Sequence, residues 1–312
     1  MIVCLAANPS IDKLFEIERL VKGDIHRPLG FVQTAGGKGL NVARAARALG
    51  ADLTAVALLR GHAGKWLEEQ LEAEGVPGLH VWAHGENRSS LSVADRETGS
   101  LTEFYENGAV APASAWVELM HTTATLFDRA GWLTISGSLP RGAPDEGYRD
   151  LVSEARRAGV RVAVDAEGNR LRIALEAQPD VVKVNQAEAR ELLGVPTARR
   201  EESLAAAAKL RDLAGGDGHA GLVTRGADGV VLAAPDGTLY EGMLYVRGRY
   251  PVGSGDAFLA GLATALDGDD DWDAALCLAL GAATANAELP GAGKLDPVRA
   301  LELRDQALVR IV

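Results

Sequence analysis

Cysteine is scarce: Cys4 and Cys277 are the only two in the 312-residue chain. Neither stands at a ligand-like spacing, which excludes a disulfide framework and a cysteine-rich metal site and fits a reducing, cytoplasmic setting. Long hydrophobic runs are missing as well, each being broken well short of the ~18 residues that a membrane-spanning helix needs. Met1-Ile2-Val3-Cys4-Leu5-Ala6-Ala7 has no charged start and no apolar stretch long enough for a signal peptide, so it reads as a first strand. Without export, the acceptor-like Asn87-Arg88-Ser89 is not expected to carry a glycan. No basic cluster interrupts a formal net charge of −11, which argues against nucleic acid and against an anionic membrane as partners. An anionic ligand must therefore be held by a local site. No GxGxxG follows Ile2–Ala7, so a dinucleotide fold is disfavoured, and neither an internal repeat nor a low-complexity linker is present.

What the chain does have is apolar material and rhythm. Hydrophobic residues make up 47%, enough for a sizeable core and too many for disorder. From Trp116 onward helical stretches alternate with short apolar strands at Trp132–Ile135, Arg161–Val164, Val181–Val184 and Leu222–Thr224. Such alternation predicts an α/β fold with a parallel sheet and right-handed crossovers. Two stretches break the rhythm: alternating segments at Leu14–Glu18 and His26–Gln33, and a hairpin of Arg88–Ala94 with Leu101–Glu106. Together they read as a small lid sheet inserted at about residues 12–35 and 86–108. Trp272–Glu288 and Pro297–Val312, rich in Ala and Leu, read as helices covering a sheet face.

Three local strings carry chemistry. Val252-Gly253-Ser254-Gly255-Asp256 runs straight into an apolar helix. A glycine turn at a helix start points backbone amides and the positive end of the dipole at one spot, and an Asp beside it can take a proton. A capped helix start in which Asp256 serves only the dipole accounts for the same letters. Gly36-Gly37-Lys38-Gly39-Leu40-Asn41 also opens a helix. Its glycine spacing and the lack of a Ser or Thr after Lys38 set it apart from a Walker loop, and close packing explains it as well as a ligand does. Asp12, delivered by the Asn8-Pro9-Ser10 turn after the first strand, sits where open α/β sheets bind ligands, or simply in a solvated turn.

In combination the strings resemble the ribokinase-like (PfkB) sugar kinase family over nearly the whole chain. The resemblance rests on Gly36-Gly37-Lys38-Gly39-x-Asn41, on Val252-Gly253-Ser254-Gly255-Asp256, and between them on Asn185-x-x-Glu188 and Thr224-Arg225-Gly226-x-x-Gly229. It implies one ribokinase-like domain over 1–312, a three-layer αβα arrangement with a mainly parallel central sheet and a β-sheet lid. The implied activity is transfer of the ATP γ-phosphoryl group to a sugar hydroxyl. Asp256 would be the base and the amides of Gly253, Ser254 and Gly255 the anion hole. Asp12, Gly36, Gly37, Lys38 and Asn41 would meet the acceptor sugar. Lys183, Asn185, Thr224, Gly226, Gly229 and Asn286 would meet the nucleotide, with Asn286 near the adenine, while Asn185 and Glu188 would hold Mg2+ through water.

Asn8-Pro9-Ser10-x-Asp12, Ser136-Gly137-Ser138-Leu139-Pro140-x-Gly142 and Arg88 resemble the phosphohexose kinase branch, which includes 1-phosphofructokinase, tagatose-6-phosphate kinase and the minor 6-phosphofructokinase. Lys38, Arg88 and Ser138 could hold a substrate phosphate, with Arg27 as a further lid candidate. The sequence departs from the branch at Glu106-Asn107, Lys183-Val184-Asn185 and Pro251-Val252. The first departure lies where a lid could touch the acceptor, so a free sugar or a nucleoside is the alternative acceptor. A non-catalytic sugar-phosphate-binding regulator is the alternative outside enzymes, disfavoured because a pure binder has no need of Asp256. The resemblance further implies a homodimer through the lid.

Overall fold

The computed structural model describes residues 1–312. The chain opens with β1 (Ile2–Ala6), then β2 (Ser10–Ile17), β3 (Gly30–Gly36), α1 (Lys38–Ala48), β4 (Leu53–Arg60), α2 (Gly61–Ala73) and β5 (Gly78–Ala83). Next come β6 (Arg88–Asp95), β7 (Leu101–Tyr105), α3 (Ala113–Ala124), β8 (Trp132–Ser136), α4 (Gly147–Arg157), β9 (Arg161–Asp165), α5 (Gly168–Leu175) and β10 (Val181–Asn185). The C-terminal third holds α6 (Gln186–Leu193), α7 (Arg200–Leu213), β11 (Ala220–Thr224), β12 (Val230–Ala233), β13 (Leu239–Met243), α8 (Ser254–Asp267), α9 (Trp272–Glu288), α10 (Pro297–Arg304) and β14 (Leu308–Ile311).

Ten strands form the central sheet in the order β14-β13-β12-β11-β10-β9-β8-β1-β4-β5. It is parallel from β11 through β5 and antiparallel from β11 to β14. The parallel strands are apolar on both faces because helices cover both. In β1 the pleat sends Ile2, Cys4 and Ala6 into one hydrophobic layer and Val3 and Leu5 into the other.

A separate sheet of four strands, β3-β2-β6-β7, stands over the C-terminal rim of the parallel strands as the lid. Its two middle strands, β2 and β6, run parallel, so the two halves of the lid meet side by side. The alternation of side chains across a pleat divides the lid into two faces. One lines the cleft with Asp12, Thr34, Ser90 and Tyr105, which sit directly opposite one another in register. The other carries Phe15, Phe31, Leu91 and Phe104.

Three elements depart from the sequence reading. β5 pairs with β4 where the sequence pattern showed nothing, and α7 adds a second helix before β11. Pro297–Val312 is not helical throughout: α10 stops at Arg304 and β14 pairs antiparallel with β13. The free edge of β13 offers unpaired backbone groups, and β-branched Val309 and Ile311 suit a strand better than a helix. The lid strands also start earlier and run later than expected, β2 beginning at Ser10 and β3 continuing to Gly36.

Candidate active site

The C-terminal ends of the parallel strands and the inner face of the lid enclose a cleft of about 1290 Å³. At its centre is the turn into α8. Gly253 has φ +84°, a left-handed conformation, and a Cβ there would lie 2.6 Å from the Ala292 Cα. Glycine is required on both counts. The Ser254 N–H donates to the Pro251 carbonyl at 3.1 Å, whereas the N–H groups of Gly253 and Gly255 have no acceptor within the chain. Those two amides and the N-terminus of α8 are therefore the open part of the turn. The Ser254 hydroxyl is buried and has no partner.

Asp256 follows in the first turn of α8 and is only 5% exposed. Burial first, and then the negative charge of Asp165, push its carboxyl up to about 7, against the opposing pull of Lys38, Asn41 and Lys183. The Asn41 side-chain N–H donates to Asp256 Oδ2 at 2.8 Å, and no intramolecular donor meets Oδ1. A carboxylate with one oxygen held and one facing a cleft, poised near neutrality, has the form of a general base.

On the acceptor side, Asp12 takes hydrogen bonds from the hydroxyls of Ser10 and Ser90 and from the Gly37 N–H at 3.2 Å. Its carboxylate lies against the backbone of Gly36, where a Cβ would come within 2.0 Å of Oδ2. Gly36 itself does not line the cleft; its missing side chain makes room for Asp12. Along the same wall the Asn8 amide donates to Ser138 Oγ at 3.0 Å, and Arg88 Nε donates to the Asn8 carbonyl at 3.3 Å. Asn8 thus joins two residues distant in the chain, Arg88 and Ser138. Arg141 lines this wall too, reaching the Gly108 carbonyl at 3.5 Å, and Glu106 stands nearby with Oε2 accepting from the Ser89 N–H at 2.7 Å. Arg27 is exposed and outside the cleft lining.

Between the two halves lies Asp165, 1% exposed at the end of β9. It pairs with Lys183, and its other oxygen lies 3.2 Å from Lys38 Nζ. Burial alone would push the Asp165 carboxyl up; Lys183 and Lys38 outweigh it and hold the group below the usual carboxylate range. Asp165 in turn is the main cause that raises the Lys38 ammonium above its ordinary value. Asp165 is absent from the residues that the sequence motifs single out. The available signal was a carboxylate closing the otherwise apolar Val162-Ala163-Val164, where a charge is tolerated only if it is paired.

On the nucleotide side, Thr224 ends β11 and its hydroxyl reaches the Val184 carbonyl at 3.4 Å. Gly226, Ala227 and Gly229 line the cleft, as do Leu280, Ala283 and Ala287 of α9. Asn286 is not part of that lining. It is fully buried, and its side-chain N–H groups donate to the carbonyls of Gly291 and Lys294 at 3.1 and 3.0 Å. It fastens the loop behind Gly253 and lies outside the cleft lining, whereas the sequence reading expects it near the adenine.

Asn185 and Glu188 form a reciprocal cap of α6: Asn185 Oδ1 accepts from the Glu188 N–H at 2.9 Å, and Glu188 Oε2 accepts from the Asn185 N–H at 2.8 Å. Glu188 Oε1 faces the cleft 3.7 Å from Lys38 Nζ. No three His, Cys, Asp or Glu side chains gather into a metal-holding group. One capping carboxylate with a single free oxygen fits a Mg2+ that keeps its water shell and takes its inner ligands from phosphates, not an all-protein cage.

The family described as "pfkB family carbohydrate kinase" matches residues 6–299. Phosphofructokinase-2 of Escherichia coli, in its tetrameric inhibited form, superposes with a TM-score of 0.88 at 25% identity, covering 97% of this chain and 98% of that one. A protein of Thermotoga maritima described as a possible 1-phosphofructokinase gives 0.89 at 22% identity, covering 100% and 99%. Ribokinase of Arabidopsis thaliana, complexed with ribose and ATP, gives 0.76 at 22% identity, covering 97% and 98%. No helix of the chain is long and apolar enough to cross a membrane.

Proposed function

Because this chain belongs to the pfkB family of carbohydrate kinases, we propose that it transfers the γ-phosphoryl group of ATP to a hydroxyl of a phosphorylated ketohexose, fructose 1-phosphate or tagatose 6-phosphate. The observation that carries the reading is Asp256, buried, poised near 7 and held by Asn41 beside the open amides of Gly253 and Gly255.

The acceptor lies along Asp12, Gly37 and Asn41, with its phosphate on Arg88, Lys38 and Ser138. Asp12, already oriented by Ser10, Ser90 and Gly37, fixes sugar hydroxyls by accepting their protons in hydrogen bonds. Asp256 takes the proton of the attacking hydroxyl as the new P–O bond forms and the bond from the γ-phosphorus to the β-phosphate bridging oxygen breaks, releasing ADP. Negative charge on the transferring group meets the amides of Gly253 and Gly255 and the α8 N-terminus, which cost no reorganisation at the moment of reaction. Lys183, held on Asp165, supplies a cation for the nucleotide phosphates. Thr224, Gly226 and Gly229 cradle the nucleotide. Mg2+, when bound through water to Asn185 and Glu188, neutralises phosphate charge.

Asp256→Asn keeps the shape and the Asn41 contact site while removing the base. We expect ADP release to fall by roughly 10² to 10⁴ with ATP binding retained, as for loss of a positioned base. Turnover equal to that of the parent would end the assignment. A second reading, an unphosphorylated sugar as acceptor, is favoured by one observation: the Glu106 carboxylate lines the cleft on the wall that carries Arg88.

A further inference from the structure

We infer that Arg44, which does not line the cleft, is a positioning residue that fixes which way the Asn41 amide faces and thereby holds Asp256 in place. The inference rests on the reading of Asp256 as the base. Arg44 lies in the middle of α1 and is 6% exposed. Its guanidinium reaches four places. Nη1 donates to Asn41 Oδ1 at 3.3 Å and to the Ala292 carbonyl at 3.0 Å, Nη2 donates to the Ala35 carbonyl, and Nε meets Glu74 Oε2 at 2.6 Å.

A side-chain amide presents an acceptor at one end and donors at the other, so its partners decide its orientation. Arginine offers donors only. The Asn41 atom facing Arg44 must therefore be the oxygen, which turns the Asn41 N–H groups toward Asp256 Oδ2. A flipped amide would set donor against donor and oxygen against carboxylate, both in a buried place where an unmade hydrogen bond is expensive. With Oδ2 held, Oδ1 of Asp256 is the oxygen left for the acceptor hydroxyl.

The other contacts of Arg44 reach the two segments that flank this pair. Ala35 precedes Gly36 and Gly37, against which Asp12 lies; Ala292 is the residue packed on Gly253. One guanidinium thus joins the end of a lid strand, the acceptor helix and the back of the amide turn. A planar fork of five donors serves these diverging acceptors, whereas a lysine ammonium is a single point and cannot. Glu74, at the end of α2, supplies the counter-charge that lets the fork be buried.

The test uses the full chain labelled with 15N in asparagine, the Asn41 side-chain signal being the one lost in Asn41→Ala. In the parent that N–H pair, buried and bonded to Asp256, should exchange slowly with solvent, and fast exchange there would overturn the inference at once. Arg44→Lys should speed its exchange by at least about tenfold, while Glu74→Gln, which keeps an acceptor for Arg44 Nε and leaves the Nη contact to Asn41 in place, should speed it far less. An unchanged Asn41 signal in Arg44→Lys overturns the inference. If Arg44→Lys does not fold, Arg44→Gln combined with Glu74→Gln removes both charges together and is read the same way. With ATP and fructose 1-phosphate, tagatose 6-phosphate or fructose 6-phosphate, Arg44→Lys should lower kcat by roughly 10- to 100-fold and leave the KM for ATP within about twofold. In an Asn41→Ala background it should cause no further loss; a loss of full size there means that Arg44 acts through stability alone. The exchange measurement needs no turnover, so failure of the base reading appears in Asp256→Asn and failure of this inference appears at Asn41.

Discussion

Asp256 acquires its chemistry from burial. An exposed aspartate is ionised far below neutrality and is a weak base, whereas here desolvation and the Asp165 charge raise its carboxyl to about 7. The sign of the pH dependence follows. Below pH 7 Asp256 is protonated and cannot take the hydroxyl proton, so kcat/KM should fall by about tenfold per pH unit on the acid side, with the midpoint of the limb near 7. A pH profile whose acid limb bends near 4 would mean that another group is the base or that Asp256 ionises normally. Residue identities at this site were largely legible in the sequence, because a base, an amide turn and paired cations need particular residue types at particular places. The partners that tune them were not. Strand order brings Asp165 to Asp256, and although Arg44 follows Asn41 by one turn of α1, the Ala35 and Ala292 carbonyls and the Glu74 carboxylate that fix its guanidinium come from other segments.

At the scale of elements, the parallel pairing of β2 with β6 decides what the lid contributes. Register sets Ser10 opposite Arg88 and Asp12 opposite Ser90. A slip of one residue would turn all of these away from the cleft. Arg88 therefore stands at the start of β6 with its Nε on the Asn8 carbonyl and its remaining donors available to a ligand. Loss of a charge-assisted hydrogen bond corresponds to about 1.5–3 kcal/mol, so Arg88→Ala should raise the KM for a phosphosugar by roughly 10- to 100-fold and that for its unphosphorylated analogue far less. Equal effects on the two would assign the site to a free sugar. The lid strands could be anticipated from their alternation, although the register between them could not, since it depends on two segments 78 residues apart in the chain. β14 escaped the sequence reading for a related reason: the β-branched Val309 and Ile311 favour a strand, but Leu308–Ile311 becomes one only because β13 offers an edge to pair with.

For the molecule as a whole, the lid poses a question that the central sheet does not. Its outer face carries Phe31 and Phe104, each 57% exposed, and Phe15, whose ring meets that of Phe31 edge to face. Grouped aromatic exposure of this kind marks an interaction surface, and we propose that a second copy of the chain covers it. Phe31→Glu with Phe104→Glu should convert a dimer to a monomer in sedimentation velocity while leaving the thermal unfolding of the central domain little changed; an unaltered sedimentation coefficient would place the contact elsewhere. The division of labour between sequence and fold is clear at this scale. The sequence by itself determined the alternating α/β plan, the glycine turns and the candidate reactive residues, because periodicity, φ > 0 and acid–base chemistry are local properties of residue type. Only the tertiary structure decided that Asp165 pairs two lysines, that Arg44 is buried among Ala35, Glu74 and Ala292, and that Asn286 supports a loop and does not touch the cleft. These depend on which strands become neighbours and on how a helix is rotated against the sheet, which are set by packing over the whole chain. The turn Gly253–Asp256 belongs to both: its amides follow from local backbone geometry, and the basicity of its aspartate comes from the fold that buries it.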